Sequence, residues 1–476
     1  MMGSGVDTIE AAGSSLVPPF TTRAYALLFV FLFLPYVYFN HSDGWNQAAR
    51  FAQLHAVIFE GSLSIDAYHH VTGDKALIDG RYYNEKAPGM GLLALPAFTL
   101  TVLVQMILGV DPDAQPGWRV SEWITTAGSV AVLVAGGGLA FFALTYRQLG
   151  GTTAIIATTA TFHGTLAFPY ATTLFSHAGT MGLLTMTLWG VLVSAAPSRR
   201  RDYFAGACAG LAIASEYPAV FPCGVLGLYL AYANFGRACR FAVALLPGLA
   251  IILVNNYLTT GSPLVLPYGR NAMFPALMAE NSYGFSLPSV RAVISLMWGE
   301  YRGLLFWNPV LCMALPGVVV LARSHRALAV VVAAGSVLTL LHAASFYGWH
   351  GGSAVGPRYL SPAIPLLGLA AAYGVWRFPR TGGLLTLLSV LLMGTVTAIA
   401  LDPPPDVLHP LRDFYLVRIA QDRFATNLGT LLGLSPLASL GFLAGIMTAL
   451  GGLLVWEVRG LADRQEAQFG SAAQAI

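Results

Sequence analysis

Charged residues are scarce in this chain of 476 residues. Asp, Glu, Lys and Arg make up 10 % of it, whereas a soluble domain carries about a quarter. The hydrophobic share is 56 %, and the net charge of +3 comes with a single run of basic residues, Arg199-Arg200-Arg201. An ordinary soluble fold is therefore excluded, and nothing indicates nucleic-acid binding. We expect an integral membrane protein.

Cysteine and lysine are also rare. The four cysteines, Cys208, Cys223, Cys239 and Cys312, lie in or beside apolar segments without metal-type spacing, which favours small buried hydrophobic residues over disulfides or metal ligands. Two of the 25 basic residues are lysines. The amino-terminal segment has no basic region of the kind that opens a signal peptide, so we expect the first apolar stretch to remain as a signal anchor.

Long apolar runs divide the chain into predicted membrane spans, because about 20 apolar residues cross the hydrocarbon core as a helix. We place twelve spans near 23–40, 121–145, 152–168, 177–195, 203–215, 217–235, 240–258, 303–322, 327–346, 360–376, 382–400 and 436–456. The prediction is an all-α polytopic bundle forming one transmembrane domain over residues 1–476, with no separate soluble domain.

One further apolar stretch, Met90 to Gly109, determines the orientation of every later helix. If it lies in the interface and the N-terminus is cytoplasmic, the short cytoplasmic loops contain ten arginines and one acid, Asp202. If it spans, those arginines move outside, against the positive-inside rule. We therefore predict both termini inside and three long external segments, 41–120, 259–302 and 401–435, in a multi-pass protein of the inner (plasma) membrane.

Two features of the external side indicate a site. Polar residues from Asn46 to Glu60 fall on one helical stripe with apolar residues away from it, which predicts an amphipathic helix on the membrane surface. Glu216 sits at the turn of a predicted helical hairpin whose first leg, 203–215, is too short to cross the membrane. An acid at that depth is either functional or a buried partner for an arginine.

Further polar residues concentrate on the same predicted face. They are Asp43, Tyr82, Tyr83, Glu85, Lys86, Arg302, Trp349, His350, Arg358 and Tyr359. A carboxylate beside several cations suits an enzyme with a lipid-phosphate substrate, because arginine binds phosphate oxygens through its rigid fork of donors. A transporter should instead show ionisable groups at the midplane and two similar halves, and the sequence shows neither.

Three blocks resemble the GT-C glycosyltransferases, in particular the aminoarabinose transferases and the protein O-mannosyltransferase-like enzymes (glycosyltransferase family 39). Gly80 to Gly89, containing Glu85-Lys86-Ala87-Pro88, resembles the Glu-Lys-Pro motif that ends their first external loop. Arg302 to Pro309 and Trp349 to Leu360 resemble two further blocks, and an acid after the first span, here Asp43, is also typical of these enzymes.

The resemblance implies inverting transfer of a sugar from a polyprenyl-phosphate donor to a lipid, envelope-glycan or protein acceptor on the periplasmic or extracellular side. Asp43 is then the expected general base, although it could equally cap the amphipathic helix. Lys86 and Arg358 are expected at the donor phosphate, and Glu85 at the sugar or a divalent cation, with Asp43 or His350 as weak further ligands. No other cofactor is expected.

The sequence also departs from the family pattern. Lys86-Ala87-Pro88 stands where Lys-Pro-Pro is common, and His177 occupies the region after the third span where a second acid is common. Three alternatives stay open at this point: a lipid or glycan flippase, a non-catalytic GT-C relative, and a non-glycosyl envelope transferase. The last of these would normally need a larger external domain.

Overall fold

The structure, a computed structural model, is almost entirely helical. It describes residues 21–42, 44–193, 197–275 and 282–474, with side chains up to residue 460. The helices are α1 Thr22–Tyr38, α2 Trp45–His55, α3 Gly89–Ile107, α4 Gly117–Thr126, α5 Val132–Leu149, α6 Gly151–Phe162, α7 Ala167–Ala171, α8 Ser176–Leu192, α9 Arg199–Ser215, α10 Val220–Ala233, α11 Phe235–Thr260, α12 Val290–Trp298, α13 Leu304–Trp307, α14 Ala314–Ser324, α15 Arg326–Ser345, α16 Ile364–Arg377, α17 Pro379–Ile399, α18 Leu416–Ala420, α19 Leu428–Leu431 and α20 Pro436–Gln474.

The strands form a small hairpin. β1, Lys75–Ile78, pairs antiparallel with β2, Arg81–Asn84. Asp79 and Gly80 make the two-residue turn, and both have positive φ, as the primed turns of tight hairpins require. This hairpin ends immediately before Glu85 and Lys86, so it sets the direction in which those two side chains leave the backbone.

Each of the twelve predicted spans overlaps a described helix. Seven described helical stretches are long and apolar enough to cross a membrane, and six of them match predicted spans. Three further predicted spans match shorter apolar helices, Thr22–Tyr38, Tyr217–Ala233 and Pro309–Ser324. The polytopic all-α class is therefore confirmed, whereas the number twelve stays a prediction.

The seventh candidate is α3, which covers the stretch that the sequence placed in the interface. Its Phe98 ring packs 4.8 Å from the ring of His55 at the end of α2. At the carboxyl end of α3, the Gln105 side chain donates to the carbonyl of Gly117 at the start of α4, and the following loop returns Asp113 to His55 at 2.7 Å. The middle of α3 and the loop after it therefore both contact the end of α2, which favours a helix that does not cross.

Arginines cluster at the end of the bundle where α9 and α11 begin. Arg237 and Arg240 at the start of α11 bind the carboxylate of Asp202 in the first turn of α9, at 2.8 and 2.9 Å. Arg147 near the end of α5 reaches the carbonyl of Val193, just after α8. Arg147, Arg237 and Arg240, three of the ten arginines predicted on one face, therefore lie at one end of the bundle, and a common face for all ten stays a prediction.

Close packing of α9 against α11 positions the turn that follows α9. A Cβ atom at Gly248 would lie 2.1 Å from the Gly210 carbonyl carbon, so only glycine allows the two backbones to approach this closely. α9 begins at Arg199 and has 17 residues, so it is about 26 Å long, and the sequence prediction of a shorter leg from 203 was wrong. Glu216 directly follows α9 at the end of the bundle remote from the arginines.

Candidate functional site

A cavity of about 270 Å³ opens at the end of the bundle remote from the arginine cluster. It lies between α2, the hairpin's exit, the start of α8, the turn after α9 and the end of α15. Its lining is Asn46, Arg50, Glu85, Lys86, Ala87, Ser176, His177, Ser215, Glu216, Tyr217, Pro218, Leu266, Tyr268, Tyr283, Phe285, His342, Ala343, Phe346 and Tyr359. One part of this lining is charged and the other is aromatic or apolar.

Lys86 forms one charged wall of the cavity. Its Nζ atom lies 2.7 Å from a carboxylate oxygen of Glu85 and 3.0 Å from one of Asp74. Burial alone would lower the pKa of Lys86, but these two carboxylates outweigh it and raise the pKa above its usual value. The lysine therefore stays protonated, and an ammonium with two partners keeps one donor for a ligand.

Glu85 is held from both sides. One of its oxygens accepts from Lys86, and the other accepts from the side-chain amide of Asn271, which is 186 residues away in sequence. Burial raises the pKa of the Glu85 carboxyl, while the Lys86 ammonium opposes that rise. Its contacts make Glu85 a residue that positions Lys86.

The same contacts do not fit the divalent cation that the sequence suggested at Glu85. The Lys86 ammonium already binds one carboxylate oxygen of Glu85, and a metal ion would need several further oxygen ligands. Within the described ranges, no group of three His, Cys, Asp or Glu residues is arranged to hold a metal ion. No chemical step is therefore assigned to a metal.

Glu216 and Arg50 form the facing wall. Glu216 accepts a 2.6 Å hydrogen bond from the Ser176 hydroxyl, and the same oxygen lies 3.0 Å from Nδ1 of His177. Arg50 donates through Nη2 to Ser176 and through Nη1 to Asn46. Glu216 is therefore both a cavity residue and part of a buried network with an arginine, which joins the two roles that the sequence left as alternatives.

The polar stripe of α2 has a different environment from the one expected. Arg50 is 2 % exposed and lines the cavity together with Asn46, while Gln53 accepts from the side-chain amide of Asn84 at the end of β2. The polar face is thus turned into the protein. The stripe is visible in the sequence, but its partners are not, because they come from distant segments.

Six of the predicted binding residues lie outside the cavity lining, and three of them, Arg302, Trp349 and His350, lie together. Arg302 is fully buried, and its nitrogens donate to the backbone carbonyls of Tyr301, His350 and Gly352. Trp349 and His350 belong to the loop that these bonds hold, and both pack against the ring of Tyr301. Arg302 therefore braces this loop, and substrate contact by the three residues stays a prediction.

Arg358 lies directly behind the cavity wall formed by Tyr359. Its guanidinium carbon is 5.2 Å from the Tyr359 ring centre and 5.8 Å from that of Phe175, and Nη2 donates to the Tyr359 hydroxyl at 3.4 Å. Its Nε atom is buried without a partner among the described residues. Tyr359 lines the cavity, whereas Arg358 contacts Tyr359 and is not part of the lining.

Tyr82 and Tyr83 belong to the hairpin and do not line the cavity. The Tyr82 ring stacks on His69 at 4.3 Å, with the Lys75 ammonium 5.1 Å from its centre. Tyr83 pairs with Ala76 across the hairpin. Their contacts shape the loop that presents Glu85, and their role as binding residues stays a prediction.

Asp43, predicted as the general base, lies outside the described residues. Several residues that line or complete the cavity were not chosen from the sequence, namely Arg50, Asp74, Ser176, His177 and Asn271. The polar stripe could have pointed to Arg50. His177 could have been chosen because it occupies the region where GT-C enzymes commonly have a second acid. Asn271 gave no signal, because only folding brings it to Glu85.

Comparison with known proteins identifies the fold. The chain resembles the crystal structure of ArnT, an aminoarabinose transferase of the GT-C family, from Cupriavidus metallidurans bound to undecaprenyl phosphate, with a TM-score of 0.50 and 17 % identity over 92 % of this chain and 75 % of that one. The apo structure of the same ArnT gives 0.50 and 16 %, over 92 % and 76 %. No protein-family model and no curated protein matches the chain. The GT-C-type fold predicted from the sequence is confirmed.

Proposed function

We propose that the chain is a membrane glycosyltransferase of the GT-C type that transfers a sugar from a polyprenyl-phosphate donor to an acceptor. The observation that supports this most directly is the composition of the cavity. Lys86 and Arg50 stand at its charged part, whereas Leu266, Phe285 and Phe346 line another part. A donor with a charged phosphate and an isoprenoid chain needs both environments in one site.

Phosphate binding is assigned to Lys86 and Arg50. Lys86 is kept protonated by Asp74 and Glu85, and Arg50 has a buried Nε without a partner among the described residues. Charge-assisted hydrogen bonds from such groups are about twice as strong as neutral ones. They would stabilise the phosphate as it leaves the anomeric carbon, which is where negative charge develops during transfer.

Arg358 is a further phosphate ligand in this proposal, acting from behind Tyr359. Its buried Nε has no hydrogen-bond partner among the described residues, so it is available to donate to an anion. Rotation of the Tyr359 ring would let the phosphate reach this nitrogen. Arg358→Lys should weaken donor binding, because lysine lacks the bidentate fork. Unchanged affinity in Arg358→Ala would remove Arg358 from the phosphate site.

The proposed side of the membrane is supported by the difference between the two ends of the bundle. The cavity lies opposite the arginine cluster around Asp202, and arginine-rich loops mark the cytoplasmic side in multi-pass proteins. We therefore place transfer on the periplasmic or extracellular side of the inner membrane. The acceptor would be a lipid, an envelope glycan or a protein, and direct displacement of the phosphate would invert the anomeric centre.

Binding of undecaprenyl phosphate to the purified protein tests the proposal. We expect saturable binding that falls roughly 10- to 100-fold in Lys86→Ala, the effect of losing about 1.5–3 kcal/mol from a hydrogen bond to a charged group. Lys75→Ala is the matched control, because Lys75 donates to the carbonyl of His69 outside the cavity. A wild-type protein that does not bind undecaprenyl phosphate would contradict the proposed donor.

Mass spectrometry supplies the second readout. Envelope lipids and glycans of a deletion strain should lack one sugar-bearing species, and the wild-type gene should restore it. This missing species identifies the sugar and the acceptor together. A flippase would instead leave the sugar linkage intact and change only the side on which the lipid-linked precursor accumulates.

A further inference from the structure

An imidazole and a carboxylate are paired in the wall of the cavity. Nδ1 of His177 lies 3.0 Å from Oε2 of Glu216, at ion-pair distance, and it makes no hydrogen bond of regular geometry to any described residue. The Ser176 hydroxyl donates to the same oxygen at 2.6 Å and is itself bound by Arg50. Three side chains from the start of α8 and the turn after α9 thus hold one another at the cavity.

This pairing determines which nitrogen of His177 is available to a substrate. A carboxylate next to Nδ1 favours the tautomer that carries its proton there, so Nε2 keeps a lone pair. The rings of Tyr170, Phe175 and Tyr359 lie 5.7, 5.8 and 6.1 Å from the imidazole and limit its rotation. An oriented imidazole backed by a carboxylate is the arrangement of a general base.

The remaining candidates among the described cavity residues are less suited to accept a proton. Both oxygens of Glu85 already accept hydrogen bonds, from Lys86 and Asn271. The other cavity histidine, His342, packs between the rings of Phe221 and Phe285 and has no carboxylate at contact distance. His177 is therefore the group with both a free nitrogen and an acidic partner.

We propose that His177, oriented by Glu216, accepts the proton of the acceptor hydroxyl. The inference rests on the proposed transferase function. The acceptor oxygen forms a bond to the anomeric carbon, and the bond from that carbon to the phosphate oxygen breaks. The polyprenyl phosphate leaves with the electron pair, the hydroxyl proton moves to Nε2 of His177, and Glu216 stabilises the resulting imidazolium.

The test compares two histidines that each lie beside a carboxylate, His177 in the cavity and His409 outside it. His177→Gln should lower formation of the sugar-bearing product by about a hundredfold or more, while undecaprenyl phosphate binding stays at the wild-type level. His409→Gln should retain both, because His409 pairs with Glu300 outside the cavity lining. Glu216→Gln should give an intermediate loss of product, because it leaves the imidazole in place but removes the group that orients it.

Chemical rescue separates proton transfer from a structural role. In His177→Ala, added imidazole should restore part of the turnover, since it can occupy the vacated space and accept the proton. Imidazole should not restore Lys86→Ala.

Two results would overturn the inference: wild-type turnover in His177→Gln, or equal losses of turnover and undecaprenyl phosphate binding in that variant without rescue. If wild type itself fails to bind undecaprenyl phosphate, the proposed function fails instead, so the two failures are distinct.

Discussion

Lys86 is the residue whose removal tests the site most sharply. Lys86→Met deletes the ammonium while keeping much of the side-chain volume, and leaves Glu85, 2 % exposed, without its cation. Breaking a buried ion pair by removing one partner costs about 3–5 kcal/mol. We expect the lower end of that range, because the amide of Asn271 still donates to Glu85 and the carboxyl can take up a proton.

The pH dependence of this loss has a definite sign. Burial already raises the pKa of Glu85, and Lys86 is the group that opposes this rise. Without the lysine the pKa rises further, so folding takes up a proton at Glu85. A group whose pKa is raised in the folded state stabilises it at low pH and loses that contribution as pH rises. Lys86→Met should therefore be more stable near pH 5 than near pH 8.

The double variant Glu85→Gln with Lys86→Met distinguishes stability from binding. Removing both charges leaves no unpaired buried carboxylate at position 85, so thermal stability in detergent should recover most of the loss. Binding of undecaprenyl phosphate should remain low, because the phosphate has lost its ammonium. If binding recovers together with stability, Lys86 is a structural residue and its assignment to the phosphate is refuted.

Three shorter predictions address the rest of the molecule. Asp43→Asn, which can still cap a helix, should lower turnover by about a hundredfold if Asp43 is the base, and should leave it unchanged if His177 is. An impermeant maleimide added to intact cells should label a cysteine at Leu77, which is 45 % exposed on the hairpin, and not one at Ser198; the reverse pattern would place the cavity in the cytoplasm. Asp202→Asn should lower the unfolding temperature, because it leaves the buried Arg237 unpaired, and should not change donor binding.

Local sequence patterns predicted most of the helices, because membrane spans are recognisable from apolar length alone. They also predicted that Met90 to Gly109 would not cross, an interpretation that the return of Asp113 to His55 favours. They missed the start of α9, since Arg199 to Asp202 are polar and hydropathy excludes them. A helix can nevertheless begin there, because those side chains lie at the end of the bundle, where Asp202 binds Arg237 and Arg240.

The candidate site was predictable in part. Glu85, Lys86, Glu216 and Tyr359, which were chosen from the sequence, line the cavity, whereas Arg302 does not, and the binding roles of all five stay predictions. Arg302 stands in a block that resembles the GT-C enzymes, but that resemblance could not reveal that its nitrogens donate to backbone carbonyls. A sequence motif identifies which residues are arranged together, but it does not tell a ligand-binding arginine from one that braces a loop.

The sequence by itself determined that this protein folds in a lipid bilayer, and it determined the order of the helices. Ten per cent charged residues cannot cover a soluble surface, and long apolar runs must form helices in lipid, where every backbone group needs an internal partner. Tertiary structure decided which polar groups meet. Glu85 joins Asn271 from the segment between α11 and α12, and Glu216 joins His177 across 39 residues, because burying a charge is costly unless folding brings it a partner.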